Sequence, residues 1–171
     1  KDFEGMAFGL SGDRPRKLVY FWTDTIKDWK HLLKHDKYKL EIINQLKWLI
    51  TKNKIKVYGY VIMPNHLHLL WEALEMNGKE KPHASFNKQV FTYFVENTTE
   101  RNHRFWQRDP LAVLMDSKEK FEQKLNYIHL NPLQKKWDLA QYPEEHRWSS
   151  AKFYLTGEDG FGILTHYMER F

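Results

Sequence analysis

Short aromatic and β-branched runs alternate along the chain with longer segments whose apolar residues recur at helical spacing. Residues 17–23 (KLVYFWT) form the first such run and predict a strand. Across 37–53, Leu40, Ile43, Leu46 and Ile50 recur every three or four positions with lysines between them, which predicts an amphipathic helix. Residues 55–63 and 66–72 predict two more strands, and the Pro64-Asn65 pair between them predicts a tight turn and an antiparallel hairpin. Phe86, Val90 and Phe94 mark a second helix over 85–97. A short strand is expected within 105–115. Asp116 and Glu119 have capping-box spacing for a third helix that runs to Asn131 and is ended by Pro132. This order predicts an α+β domain with helices packed on one face of an antiparallel sheet.

Composition narrows the function. The 171 residues fit one domain over 13–171, with residues 1–12 (KDFEGMAFGLSG) set aside as a flexible or appended start. Cysteine is absent, which removes disulfides, thiolate catalysis and cysteine-based zinc sites. No apolar run approaches the ~20 residues of a membrane span, and no secretory signal is visible. The expectation is a cytoplasmic protein without a membrane partner. Net charge is +5, and residues 11–60 carry 12 Lys/Arg against 5 Asp/Glu. A basic chain rich in Trp and Tyr points to a polyanion, most often nucleic acid. Ordinary solubility charge on helix faces is the competing reading.

Candidate chemistry begins at PNHLHLLW, residues 64–71. On a strand, His66 and His68 share one face with Leu70, while Leu67, Leu69 and Trp71 take the other. Two imidazoles about 6.5–7 Å apart along a strand can converge on a divalent ion or simply pack in a core. On the third helix, Phe121, Leu125 and Ile128 define a buried face. Tyr127 and Asn131 lie four apart on one flank with Lys120 and Lys124; His129 falls on the opposite flank. A phenol there could attack phosphorus, the lysines would favour phosphate, and Asn131 could complete a metal site. Equally, Tyr127 could be a boundary aromatic with a wet hydroxyl.

Four segments, in order, carry a specific resemblance: YGYVIMPNHLHLLW (58–71), FWQR (105–108), KLNYIHLNPLQKKW (124–137) and HRWSSAKFY (146–154). Together they resemble the HUH single-tyrosine transposases, and within them the REP-associated tyrosine transposase branch. The resemblance spans roughly residues 17–155. It implies a ferredoxin-like or RRM-like antiparallel sheet. It implies His66 and His68 as metal ligands on the central strands and Tyr127 as nucleophile. Where the wider superfamily carries Gln four residues after the tyrosine, this chain has Asn131, the expected third ligand; His129 is the alternative. DPLAVLM (109–115) and KKWDLA (135–140) depart from the family pattern without touching that set.

The implied activity is cleavage and rejoining of single-stranded DNA near hairpins, through a 5′-phosphotyrosine and with Mg²⁺ or Mn²⁺. Zinc remains open because imidazole suits it. A non-catalytic nucleic-acid-binding module of the same fold and a water-using phosphoesterase are the alternatives. Arg14, Arg16, Lys17, Lys52, Lys54, Lys56, Lys120 and Lys124 are the candidate phosphate contacts. The chain is expected to act as a monomer or homodimer.

Overall fold

A computed structural model describes residues 18–98 and 104–171. The strands are β1 (Val19–Thr25), β2 (Ile55–Met63), β3 (His66–Ala73) and β4 (Leu111–Leu114). They form one antiparallel sheet in the order β2-β3-β1-β4. Helix α1 (Asp36–Thr51) connects β1 to β2, and α2 (Pro82–Glu96) connects β3 to β4. This is the βαββαβ arrangement of a ferredoxin-like fold. Helix α3 (Lys118–Leu130) follows β4, and the short α4 (Ala151–Thr156) lies near the end of the chain.

The α+β class and the antiparallel sheet are as expected, with one correction to the helix placement. α1 and α2 pack on one face, where Ile42, Leu46, Phe86 and Val90 meet Trp22, Leu67, Leu69 and Trp71. α3 packs on the other face, where Phe121, Leu125 and Ile128 meet Phe21, Tyr58, Val61 and Leu70. Strands β2 and β3 are apolar on both faces, as a sheet covered on both sides requires.

Local differences have local causes. The buried face of α1 is Tyr38, Ile42, Ile43, Leu46 and Leu49, so Leu40 turns outward and Ile50 sits at the boundary. The cap of α3 is Ser117 rather than Asp116: the Ser117 hydroxyl accepts the Lys120 N–H at 3.2 Å. Asp116 instead pairs with the Lys120 ammonium at 2.8 Å. The expected start over 1–12 lies outside the described residues. Among the described residues no helix is long and apolar enough to cross a membrane.

The Trp-Ser-Ser segment covers the open edge of β2. The Ile62 N–H donates to the Trp148 carbonyl at 2.8 Å, and the Ser150 N–H donates to the Tyr60 carbonyl at 3.0 Å. Backbone pairing of this kind blunts an exposed sheet edge. His129 of α3 reaches the same place, with its Nε2 2.8 Å from Ser150 Oγ.

Gly59 lets α3 approach the sheet. A Cβ there would stand 2.7 Å from Leu125 Cδ1, 3.4 Å from Ser150 Oγ and 3.5 Å from Leu70 Cδ1. One methyl can be absorbed by rotation of Leu125, but a branched side chain meets all three neighbours. Gly59→Val is therefore expected to destabilise the fold by about 2 kcal/mol, read as a lower denaturant midpoint with an unchanged slope.

Candidate nucleic-acid cleavage site

The hairpin β2–β3 places both histidines at one end of the central strands. His68 pairs with Thr23 of β1 and with Val61 of β2; His66 pairs with Thr25 and Met63. Two-residue periodicity then aims both imidazoles at the α3 face. Their ring centroids are 4.8 Å apart, with the planes at 73°.

Each ring is held by its Nδ1. His68 Nδ1 lies 2.8 Å from Thr23 Oγ1, and His66 Nδ1 lies 2.7 Å from Asn65 Oδ1. Asn65 Oδ1 can only accept, so the His66 proton sits on Nδ1. The same tautomer at His68 lets Nδ1 donate to the Thr23 hydroxyl oxygen. In both rings Nε2 is then the bare nitrogen. Burial holds both imidazoles neutral: it pulls His66 down to about 4 and His68 to about 3. Lys136 adds to the shift at His66; the neighbouring His66 and then Lys124 add to it at His68.

Two buried polar atoms in this cluster have no hydrogen-bond partner: His68 Nε2 and Asn131 Oδ1. Asn131 is 2% exposed and sits at the end of α3, where Pro132 follows it in a 3-10 turn. Its side chain is a polar neighbour of the His66 ring and opposes the effect of burial there, yet its oxygen completes no hydrogen bond. An unpaired buried acceptor costs about 1–3 kcal/mol. Two in one cluster, beside a ring whose Nδ1 is already committed, form a set of donors that a divalent cation would satisfy. Among the described residues no three His, Cys, Asp or Glu side chains gather into such a group; here the third donor is an amide.

Tyr127 borders the cluster. It is 44% exposed, its ring centroid lies 5.5 Å from that of His68, and it meets Phe21 edge-on at 6.2 Å. The Lys124 ammonium stands 4.9 Å from the Phe21 ring and 5.7 Å from the Tyr127 ring. A half-exposed phenol, neutral imidazoles and an ammonium therefore share one end of the sheet.

The other candidates are not gathered here. His129 turns to Ser150 and Tyr154, away from the imidazole pair. Lys120 is engaged with Asp116. Lys56 pairs in register with Glu72, five residues along β2 from Val61, which is about 17 Å at strand rise. Lys54 pairs with Glu75 at 2.9 Å, and Lys52 lies over Trp48. Arg14, Arg16 and Lys17 lie outside the described residues. Thr23, Asn65, Lys136 and Trp137 belong to the site but did not stand out in the sequence. Asn65, next to His66, carried a usable signal as the turn residue that orients the ring, and Lys136 and Trp137 close the 124–137 segment that carries the resemblance.

The loop before α1 is strained beside this site. Asp28 and Trp29 both hold left-handed backbone, with φ of 60° and 52°, at a cost on the order of 1–3 kcal/mol each. Three ties hold the surrounding loop to the hairpin turn: Ile26 N–H to the Asn65 carbonyl, Leu33 N–H to the Pro64 carbonyl, and Asn65 Nδ2 to the Trp29 carbonyl at 3.4 Å.

No protein-family profile and no curated protein matches the chain. Solved structures do. The fold is similar to that of the REP-associated tyrosine transposase solved bound to a REP hairpin, with a TM-score of 0.65 at 15% identity over 89% of this chain and 90% of that one. A candidate transposase from Deinococcus radiodurans R1 aligns with a TM-score of 0.46 at 18% identity, over 70% of this chain and 95% of that one.

Proposed function

We propose that this chain is a divalent-metal-dependent endonuclease and strand transferase for single-stranded DNA, of the HUH single-tyrosine transposase kind, with Tyr127 as nucleophile. One observation carries the reading: two neutral imidazoles, each with Nδ1 engaged, converge with an unpaired amide oxygen beside a half-exposed tyrosine. The REP-associated transposase that shares the fold was solved with a DNA hairpin, which supports hairpin-bearing DNA as the substrate here.

His66, His68 and Asn131 would hold the metal. A Mg²⁺ or Mn²⁺ ion bound there would supply Lewis-acid polarisation of the scissile phosphate. The protein's own groups do the rest. Tyr127 Oη attacks phosphorus, a Tyr–phosphate ester forms, and the bond from phosphorus to the 3′-oxygen breaks. The phenolic proton is lost to solvent and the departing 3′-oxygen gains one. The DNA 5′ end stays on the protein. Later attack by a 3′-OH reverses these bond changes, so the ester energy is conserved and no nucleotide cofactor is consumed. Lys124 sets a positive potential around Tyr127, and Lys136 does so around His66. The apolar packing of Phe21 and Ile128 beneath the site keeps α3 in place during attack.

The test is incubation with labelled single-stranded hairpin DNA and Mn²⁺, followed by denaturing electrophoresis. A slow-migrating protein–DNA band is the expected product. Cleavage without such a band would transfer the reaction to water. Absence of both cleavage and adduct from a panel of hairpins, with binding retained, would favour a non-catalytic binding module.

Thr23→Val removes the acceptor for His68 Nδ1–H at nearly constant volume. The ring is then free to change tautomer and turn its donor nitrogen away. Metal affinity is expected to fall roughly 10–100-fold, measured by Mn²⁺ titration calorimetry, with a smaller change in melting temperature.

A further inference from the structure

The aromatic surface does not end at Tyr127. From His31, ring centroids step to Trp137 at 5.6 Å, to His66 at 5.8 Å, to His68 at 4.8 Å and to Tyr127 at 5.5 Å. His31 is exposed and Trp137 half-buried. Trp29 stands beside this run, tied through its carbonyl to Asn65, the residue that also orients His66. It is 63% exposed, the most open tryptophan among the described residues. Four of the seven, Trp22, Trp71, Trp106 and Trp148, are buried. Trp29 therefore faces water on a left-handed backbone that it shares with Asp28, anchored to the turn that carries the histidines.

The rim is cationic. Lys136 Nζ lies 5.7 Å from the Trp137 ring, Lys135 is exposed on the same segment, and Lys34 is exposed three residues after His31. Open aromatic faces set among ammonium groups suit a strand whose bases are unpaired and whose phosphates track the cations. A duplex keeps its bases stacked inside and would meet only the lysines.

We propose that Trp29, His31 and Trp137 form a stacking shelf for the unpaired bases of single-stranded DNA that run past the scissile phosphate. This deepens the nuclease reading and rests on it for the position of that phosphate. Trp29 discriminates best, because its tie to the site runs through its backbone carbonyl and survives a change of side chain, whereas Trp137 packs on His66.

The experiment is fluorescence anisotropy in the presence of a chelator, with labelled single strands of randomised sequence and with the same pool as duplex. Wild type, Trp29→Ala and Trp29→Phe are compared across a salt series. Trp29→Ala is expected to weaken single-strand binding about 10-fold and to leave duplex binding unchanged. The slope of log K against log salt should not move, because no charge is lost. Trp29→Phe, which keeps a stacking ring, should retain most of the affinity and guards against a misfolded alanine variant.

Equal binding by wild type and Trp29→Ala overturns the shelf. So does an equal loss on duplex, or a phenylalanine variant as weak as the alanine one. A wild type that binds single strands no better than duplex overturns it whatever its cleavage activity. Trp29-dependent binding, with neither cleavage nor adduct when Mn²⁺ replaces the chelator, would leave the shelf standing and remove the nuclease reading.

Discussion

Tyr127→Phe is expected to leave the protein folded and to abolish the covalent protein–DNA adduct. The substitution keeps the ring that meets Phe21 at 6.2 Å and His68 at 5.5 Å, and it removes a single oxygen from a side chain 44% exposed. Stability should change by less than about 0.5 kcal/mol. Cleavage should fall on the order of 10³-fold or more, because the attacking atom itself is gone. Denaturing electrophoresis reads the adduct, and a melting curve reads the fold. Cleavage that persists at the wild-type rate in the variant would make water the nucleophile and Tyr127 a packed boundary residue.

The second large effect is on metal binding. His68→Ala removes one of the two imidazoles, and affinity for Mn²⁺ should fall by more than the roughly 10–100-fold that follows loss of an outer-shell partner. His68 is 5% exposed and stacks on Phe21 with ring centroids 5.1 Å apart. Its truncation should therefore also cost about 1–3 kcal/mol of stability. His66→Ala separates the two effects, because His66 is only partly buried and its packing loss is smaller. Both variants should lose Mn²⁺ binding by calorimetry, and a chelator should reproduce their loss of cleavage in the wild type. Undiminished Mn²⁺ affinity in both would identify the pair as core histidines.

Period and punctuation made much of the fold legible in the sequence. The hairpin, both crossover helices and the buried face of α3 follow from apolar spacing and from Pro64, Asn65 and Pro132. The face shared by His66 and His68 follows from strand periodicity, and the flank shared by Tyr127 and Asn131 follows from helical periodicity. These are properties of a single element, which local spacing can express.

Other features needed two elements at once. Amphipathicity says which side of α3 is buried, but not which face of the sheet receives it; Gly59, by admitting Leu125, is part of that answer. The Trp-Ser-Ser segment has no period that marks it as the cover of the β2 edge, because its role is a backbone pairing across the fold.

The site divides in the same way. The sequence by itself determined which residues can share a face: the two imidazoles on one strand, the phenol and the amide on one helix, and a basic first half of the chain. Only the tertiary structure decided that Thr23, 45 residues from His68, holds its Nδ1. It also decided that His129 turns to Ser150, that Lys124 stands near Tyr127 while Lys54 and Lys56 lie at the far end of the β2 segment, and that Trp29 is open while Trp22 is buried. The physical reason is range. Periodicity reports the direction of a side chain relative to its own backbone, whereas hydrogen bonds and burial are settled by the register between strands and the packing of helices, which join residues far apart in the chain.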